Sequence, residues 1–218
     1  MTSDKAKRAP KISWELIEDG DTRFFQFKSD NRLMFYSTKS NEKRFLERFK
    51  PILLKQIHSD IIIDVDKDSA RIGDGLLTQR SNLALGIKIA DCLPVFLFNK
   101  TKICIIHCGW QGIIKGIAKR AKRLMGNCKY ILGACIGSCC YEVKEDTARL
   151  FTQQYKNVVI RRNRKYFIDL KGAVIEDLGE EKLIASLDFC TKCHPEYFYS
   201  YRRGDKNKRD YAIGIARA

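Results

Sequence analysis

The sequence predicts a mixed α/β (α+β) fold, with β-sheets layered against helices in a single domain over residues 1–218. Short aromatic or β-branched runs of strand length are interspersed with stretches that repeat apolar residues at helical spacing. Several of the predicted strands are continuously apolar, which is typical of strands covered on both faces. No linker or internal repeat divides the chain, and its length can bury a substantial core without disulfides.

The first 49 residues are predicted to be mainly β structure. Three runs have strand composition, ISWELIE, TRFFQFK and RLMFYST, and SDN forms a turn between the last two. A short helix, NEKRFLERFK, follows and stops before Pro51. Residues 50–218 carry the motifs considered below.

The same periodicities predict the next elements. Two strands flanking the polar step at His58 are predicted for ILLKQIHSDIIIDVD, a loop for GDGLLTQRSN, and buried strands for LALGIKIA and KICIIHC. We expect Cys92 to end a further buried strand, which Pro94 stops from continuing regularly. One helix that ends at Gly126 is predicted for WQGIIKGIAKRAKRLMG.

The last third of the chain is predicted to alternate in the same way. We expect a strand at YILGACIG, a helix at EVKEDTARLFTQQY, a hairpin from VVIRR and KYFIDL, a helix at GAVIEDLGEE, and final strands at KLIASLDF and YAIGIA.

The composition excludes several classes of protein. No apolar run approaches the ~18 residues of a membrane span. The N-terminus MTSDKAKRAPKISW lacks the apolar core of a signal peptide, so we expect a cytoplasmic protein without a membrane partner. A cytosol keeps thiols reduced, and therefore the nine cysteines, two of them adjacent at Cys139 and Cys140, indicate metal binding, thiol chemistry or burial rather than disulfides.

The net charge of +15 attracts anions in general, including nucleotides, phosphate and nucleic acid. Several basic residues share one predicted helix with an apolar face, a pattern typical of a solvated helix surface. The basic residues are Lys115, Lys119, Arg120, Lys122 and Arg123, and the apolar ones are Ile113, Ile117, Ala121 and Leu124. A nucleic-acid binder is one hypothesis, but no nucleic-acid-binding motif supports it, so nucleic acid is not an expected partner.

Two of the three histidines, His58 and His107, lie near strand ends, as does Cys92. Open α/β sheets tend to place their sites at strand ends. Histidine and cysteine are good zinc ligands, and three of them leave a fourth position for water or substrate. The residues alone leave three interpretations open: a zinc site, a Cys92 nucleophile with His107 as its base, or buried structural residues.

Seven sequence blocks give the chain a family resemblance. The blocks are LKQIHSD, GDGLLT, LALGIKIADCLPVFLF, IIHCGWQGIIKGI, GACIGSCCYEV, FIDLKGAVIEDL and CTKCHPEYFYSYRRG. In this order they resemble the YfiH/YlmD family, the laccase-domain proteins known first as polyphenol oxidases and later as purine nucleoside phosphorylases. The resemblance covers about residues 50–218 and implies a YfiH-like sandwich. It also implies that His58, Cys92 and His107 bind one Zn²⁺ and form the catalytic centre.

The activity that the resemblance implies is that of a zinc-dependent purine nucleoside phosphorylase, with small-molecule nucleoside and phosphate as partners. Phosphate would cleave adenosine, inosine or methylthioadenosine to the base and ribose 1-phosphate, and adenosine would also be deaminated to inosine. The enzyme is therefore expected to be both a transferase and a hydrolase. Deamination at purine C6 suits such a site because zinc lowers the pKa of its water to ~7.

Four further residues are candidates for substrate contacts. Arg202 and Arg203 are candidates for phosphate, because a guanidinium binds phosphate oxygens through two N–H groups, and ion pairing at a strand edge is the alternative. Trp110 and Tyr141 can stack on a base, although aromatic residues beside glycines are also common in cores.

The chain departs from the family pattern near these candidates. The family usually has Arg at the position of Gln111 and Thr at that of Ile89, and its N-terminal region is longer. These departures leave the metal ligands untouched and bear on the substrate and phosphate contacts. Asp91 is a further candidate for orienting a ligand, and Glu142 for moving a proton or for capping a helix.

A laccase proper is disfavoured by the number of ligands. A multicopper oxidase needs about ten histidines, and this chain has three. Copper remains an alternative metal for the zinc donors, and a copper-binding polyphenol oxidoreductase an alternative function. The segment CTKCH, residues 190–194, matches the haem c attachment pattern, but haem c requires export, so we expect a structural or incidental pair of thiols.

Overall fold

The computed structural model describes residues 13–218, in which fourteen strands form three sheets and five α-helices cover them. The strands are β1 (Glu15–Asp19), β2 (Thr22–Ser29), β3 (Arg32–Ser37), β4 (Ile62–Asp64), β5 (Gly75–Thr78), β6 (Ala84–Ile89), β7 (Leu93–Phe98), β8 (Ile103–Cys108), β9 (Lys129–Leu132), β10 (Glu142–Val143), β11 (Val159–Arg162), β12 (Lys165–Ile168), β13 (Leu183–Ser186) and β14 (Asp210–Ala216). The helices are α1 (Glu42–Phe49), α2 (Trp110–Lys115), α3 (Ile117–Met125), α4 (Glu145–Gln154) and α5 (Leu170–Leu178).

The predicted mixed α+β fold is confirmed. The part of the predicted N-terminal β segment in residues 1–12 lies outside the described residues.

Two large sheets and one small sheet organise these strands. The first large sheet has the order β1-β2-β3-β14-β6 and is antiparallel throughout. The second has the order β13-β9-β7-β8-β5-β4 and is parallel only at its two ends. The small sheet has the order β10-β12-β11. Because β6 and β7 belong to different large sheets, the short connection at residues 90–92 crosses from one sheet to the other.

The two large sheets pack face to face because the strands of the second are apolar on both sides. In β7, Phe96 and Phe98 point into the core between the sheets, whereas Val95 and Leu97 point into a second core. That second core is covered by α2, α3, α4 and α5. A third, smaller core packs α1 onto the outer face of the first sheet through Phe45. The layers are therefore helix, sheet, sheet and helices.

One segment predicted as a loop contains a strand. Within GDGLLTQRSN, β5 is buried along its length and pairs with β4 and β8. Gly75 lies so close to Ile62 and Ile106 that a Cβ would be 2.7 and 2.8 Å from their side chains. The glycine therefore permits close packing of strands rather than a turn, which is why the turn-like composition is misleading here.

Two predictions around the candidate ligands are also wrong. Cys92 precedes a strand instead of ending one, and Pro94 is the second residue of β7. A proline near the start of a strand costs little, because few ladder hydrogen bonds need its missing N–H there. The strand predicted for ILLKQI is reduced to isolated bridges at Ile52 and Lys55.

The helix predicted after His107 is divided in two at Gly116. This glycine has a φ of +87°, a left-handed conformation that ends α2 and begins α3. Met125 is buried in the core, whereas Leu124, predicted to lie on the apolar face, is 44% exposed. The longest described helix, α4, has 10 residues, and no helix within residues 13–218 has the length and apolar character to cross a membrane.

The basic side chains of α3 make ion pairs as well as facing solvent. Lys119 lies 3.3 Å from the buried carboxylate of Asp177, and Arg120 lies 3.2 Å from Asp60. Part of the positive helix surface is thus neutralised by the protein itself.

Candidate functional site

Asp74 and His107 form the buried base of the site. His107 lies near the end of β8, and Asp74 directly precedes the neighbouring β5. Nδ1 of His107 lies 2.9 Å from Oδ1 of Asp74, and the two side chains are 4% and 0% exposed. A carboxylate can only accept, so Nδ1 carries the proton and Nε2 is available to bind a metal.

Asp74 also fixes the loop that carries His58. Its carboxylate accepts hydrogen bonds from the backbone N–H groups of Ile57, His58 and Ser59, at 3.2, 3.0 and 2.6 Å, and from the Ser59 hydroxyl at 2.7 Å. These bonds hold His58 at a φ of +57°, which is uncommon for a residue other than glycine. One buried carboxylate therefore positions both histidines.

Cys92 lies in the connection that crosses between the two large sheets. The preceding residue, Asp91, has a φ of +82° and is buried. Its carboxylate accepts hydrogen bonds from the hydroxyl of Thr191 at 2.6 Å and from the N–H of Arg202 at 2.7 Å. Asp91 thus anchors the turn that presents the Cys92 thiol to the histidines.

The three donor atoms converge. The ligand atoms of His58, Cys92 and His107 lie within 4.8 Å of one another, with Cys92 Sγ 3.9 Å from His58 Nε2. A tetrahedral zinc ion would place such donors about 3.3–3.6 Å apart, so the distance between Cys92 Sγ and His58 Nε2 is a few tenths of an ångström longer than a bound ion requires. Gly109 leaves the space for this approach, because a Cβ there would lie 2.7 Å from His58 Cδ2 and 3.2 Å from Cys92 Sγ. The donor set fits a metal ion.

The ionisable groups of the site shift one another strongly. Burial would raise the pKa of Asp74, but hydrogen bonds from His107 and Ser59 outweigh it and lower the pKa well below the ordinary value. Burial also opposes ionisation of Cys92, but the charge of His107 and hydrogen bonds with both histidines lower its pKa to about 6. Against burial, the Cys92 thiolate and Asp74 raise the pKa of His107 to about 9. Without a metal, these shifts favour ionised Asp74 and Cys92 side chains and a protonated His107.

The donors open onto a cleft of about 700 Å³, within the usual range of ligand sites. The predicted residues Trp110, Tyr141 and Arg202 line it together with the three donors, and so does Gln111. The Arg202 guanidinium lies 5.2 Å from the centre of the Tyr141 ring. It donates one hydrogen bond, to the Glu142 carbonyl at 2.6 Å, which is the only one it makes within residues 13–218. Most of its five N–H groups are therefore available to a ligand.

The lining of the cleft is positively charged. Besides Arg202, it includes Lys55, Lys88 and Arg209. Among the lining residues within 13–218, Asp91 is the only carboxylate, and both of its oxygens already accept hydrogen bonds. The cleft is thus suited to a ligand with an anionic group.

The structure does not bring Arg203 to this cleft. Its guanidinium donates to the carbonyls of Thr191, Lys192 and Phe198 and to the Asp205 carboxylate, at 2.5–3.1 Å. Arg203 thus makes an ion pair and backbone hydrogen bonds within a turn rather than at a strand edge, and these bonds leave it few N–H groups for phosphate.

The Glu142 side chain is also engaged, in an ion pair with Lys165 at 2.9 Å. Within residues 13–218, four charged residues of the site were not among the sequence-based candidates: Asp74, Lys55, Lys88 and Arg209. Of these, only Asp74 has a recognisable sequence signal, since it is an acidic residue between two glycines just before a short apolar run in GDGLLT.

Known proteins support a family assignment. Residues 36–215 match the sequence pattern of the family described as multi-copper polyphenol oxidoreductase laccase. A purine nucleoside phosphorylase of Aquifex aeolicus is 36% identical over 175 residues, which are 76% of this chain and 82% of that protein. The adenosine deaminase RL5 of an unknown prokaryotic organism is 26% identical over 176 residues, 71% of this chain and 67% of that protein.

The fold agrees with this assignment. The crystal structure of YlmD from Geobacillus stearothermophilus superimposes with a TM-score of 0.79 over 96% of this chain and 100% of that chain, at 18% identity. At this identity the likeness shows the fold alone. The family pattern, by contrast, extends over most of the chain and includes all three donors, His58, Cys92 and His107. The chain therefore belongs to the laccase-domain family of YfiH and YlmD.

Proposed function

We propose that this chain is a zinc-dependent purine nucleoside phosphorylase that acts on adenosine, inosine and methylthioadenosine and also deaminates adenosine. The observation that carries the proposal is the His58, Cys92 and His107 donor set at the base of a positively charged cleft. The names of the relatives point to the two activities, since one is called a purine nucleoside phosphorylase and another an adenosine deaminase.

Zinc suits these donors because two imidazoles and one thiolate are its usual ligands and leave a fourth position open. The chemistry that zinc supplies at such a site is the activation of water, whose pKa falls to about 7. The residues around the donors fix them for this task. Asp74 keeps the His107 proton on Nδ1, and Asp91 holds the turn of Cys92.

Phosphorolysis needs an anion site beside a site for the base. Arg202 is the best candidate for phosphate, because its guanidinium lines the cleft with most of its donors available. Lys88 and Arg209 add positive charge to the same cleft. Trp110 and Tyr141 offer aromatic surfaces on which a purine can stack.

The first test is product analysis. Protein of measured zinc content is incubated with adenosine, with and without phosphate, beside Cys92→Ala. We expect phosphate-dependent adenine together with inosine, and the loss of both products and of one zinc ion per chain in Cys92→Ala. Cys128→Ala, which alters a buried cysteine outside the donor set, is the matched control and should retain both. Inosine without adenine would refute the phosphorylase activity, and no product from zinc-loaded protein would refute the whole proposal.

The two arginines give a second, paired prediction. Arg202→Ala should raise KM for phosphate by about 10–100-fold, since a charge-assisted hydrogen bond contributes about 1.5–3 kcal/mol, while kcat at saturating phosphate changes less. Arg203→Ala should leave KM for phosphate nearly unchanged but lower the melting temperature, because it removes the internal hydrogen bonds of that guanidinium. Steady-state kinetics with varied phosphate measure the first effect and calorimetry the second. An unchanged KM in Arg202→Ala would show that phosphate does not bind there.

A cysteine hydrolase is a second candidate function because of one specific observation. Cys92, His107 and Asp74 are arranged as nucleophile, base and orienting carboxylate, and the pKa of Cys92 is lowered to about 6. His58 argues against this function, since its Nε2 lies 3.9 Å from the same sulfur and such a triad has no use for a second imidazole. His58 therefore separates the two candidates experimentally.

A copper-binding polyphenol oxidoreductase, as the family description suggests, would have to use the same three donors. Copper binds imidazole and thiolate at least as tightly as zinc. The third histidine of the chain, His194, is hydrogen-bonded to Glu196, with 2.8 Å between its Nδ1 and the Glu196 Oε1, and is not part of the donor set. One three-donor site does not provide the several copper centres of a multicopper oxidase.

A further inference from the structure

Four cysteines converge at a place separate from the donor set of His58, Cys92 and His107. Cys139 and Cys140 lie in the turn between β9 and β10, and Cys190 and Cys193 lie in the turns after β13. The four sulfur atoms lie within 4.8 Å of one another, and all four thiols are free. We call this group the four-cysteine cluster.

The backbone brings the two pairs together. A parallel bridge joins Cys135 to Cys190, with the N–H of Thr191 donating to the Cys135 carbonyl at 3.0 Å. Each pair then lies in a tight turn. The N–H groups of residues 140 and 141 donate to the Gly137 carbonyl, and those of residues 193 and 194 donate to the Cys190 carbonyl. Both turns therefore direct their thiols toward the same point.

The spacing of the sulfurs fits a single tetrahedral ion. Cys193 Sγ lies 3.7 Å from Cys139 Sγ and 3.4 Å from Cys140 Sγ. Four sulfurs at ~2.3 Å from a zinc ion would be about 3.8 Å apart. The N–H of Gly137 also donates to Cys190 Sγ at 3.2 Å, a hydrogen bond that stabilises a thiolate.

Simple burial, an iron–sulfur cluster and haem attachment each fit the four thiols less well. Cys104 and Cys135 are buried in the core as small apolar side chains, whereas Cys139 and Cys193 are exposed. An iron–sulfur cluster binds its cysteines through different iron atoms and so separates their sulfurs more widely than a single ion does. Haem attachment would need the Cys190 and Cys193 thiols apart from other cysteines, but Cys193 contacts two of them.

We propose that Cys139, Cys140, Cys190 and Cys193 bind one structural zinc ion. Four thiolate ligands form a closed site, which stabilises a fold rather than activating water. C-x₂-C spacing at Cys190 and Cys193 is the usual ligand spacing of such sites.

The position of the cluster indicates what this ion would stabilise. Cys140 is followed by Tyr141, which lines the catalytic cleft. Cys190 is followed by Thr191, whose hydroxyl donates to Asp91 beside Cys92. The ion would therefore link the segment that carries Tyr141 to the segment that anchors the turn of Cys92.

The test is metal analysis of the full chain in a Cys92→Ala background, in which the His58 and His107 site has lost its thiolate. We expect about one zinc ion per chain, and X-ray absorption at the zinc edge should show four sulfur neighbours at ~2.3 Å. Adding Cys193→Ser should reduce the zinc content to near zero, whereas adding the matched control Cys128→Ala should leave it at about one.

The X-ray absorption spectrum is recorded on the Cys92→Ala protein, in which the four-cysteine cluster is intact. The test therefore does not depend on whether the Cys193→Ser variant folds. Three results would overturn the proposal: no zinc in freshly purified Cys92→Ala, zinc with nitrogen rather than sulfur neighbours, or iron in its place. A disulfide between Cys140 and Cys193 in protein purified under reducing conditions would overturn it as well. None of these results bears on the catalytic proposal, which depends on Cys92.

Discussion

His58→Asn should abolish nucleoside turnover and remove one zinc ion per chain. The expected loss in kcat/KM for adenosine is about 10³-fold or more, because the metal supplies several kcal/mol of stabilisation to the transition state. Asparagine is the appropriate replacement since it tolerates the left-handed backbone that His58 adopts, at a φ of +57°. Metal content is measured on the same samples as kcat/KM, and calorimetry verifies that the variant is folded.

The same variant separates the metal enzyme from the cysteine hydrolase. His58→Asn leaves Cys92, His107 and Asp74 in place, so a thiol nucleophile with its base would still turn over. Activity that survives the loss of the metal would therefore contradict the zinc proposal and favour the thiol. His194→Asn is the matched control, because this partly exposed histidine is bonded to Glu196 and lies outside the donor set. It should retain both activity and zinc.

The elements of this fold that sequence alone predicts are those whose local pattern agrees with their environment. The hairpin of β2 and β3 and helix α1 lie where the sequence predicts them, and Asn41, the first residue of the predicted helix, caps α1. Helix α5 was predicted to begin at Gly172, but it begins at Leu170, because the side chain of Asp169 caps it. The sequence predicted a loop at β5 because glycines such as Gly75 are typical of turns. Here, however, the glycine is required by the close approach of the neighbouring strands. That requirement is a property of the sheet and has no local signal.

In the candidate site, too, the sequence predicted the residues that have a recognisable signal and missed those that depend on the fold. Residue types and the family resemblance predicted His58, Cys92 and His107, and the structure brings these three together. Asp74 was missed because its partners are 15 to 33 positions away along the chain, and no spacing indicates that one carboxylate will meet both histidine segments. The two adjacent arginines illustrate the converse. Arg202 and Arg203 are equivalent as sequence, and only the fold shows that one lines the cleft while the other is bonded internally.

Asp74→Asn should weaken both the metal site and the fold. The asparagine cannot offer two anionic oxygens to the N–H groups of Ile57, His58 and Ser59. Its NH₂ group would be a hydrogen-bond donor placed against other donors, so no hydrogen bond could form there. We expect about 3 kcal/mol lower stability and, because the orientation of His107 is lost, zinc affinity reduced by about 10–100-fold. Competition with a chromophoric chelator measures the affinity, and calorimetry the stability.

Asp66→Asn is the matched control for that experiment. Asp66 accepts hydrogen bonds from the Thr78 hydroxyl, the Gln79 N–H and the Arg80 guanidinium, and none of these residues lines the site. This variant should lose stability but keep its zinc affinity. Equal zinc affinity in both variants would show that Asp74 serves only the fold.

The pH dependence of stability gives an independent test of the role of Asp74, in metal-free protein. Folding lowers the pKa of this carboxyl from 3.8, so the unfolded chain binds the proton more tightly than the folded protein does. The stabilisation by Asp74 is therefore complete well above pH 3.8 and is lost as the pH falls below that value. The gap in melting temperature between the natural protein and Asp74→Asn should be wide at pH 6 and should narrow progressively toward about pH 3. A gap that stays constant over this range would mean that the ionised carboxylate is not what holds the two histidine segments together.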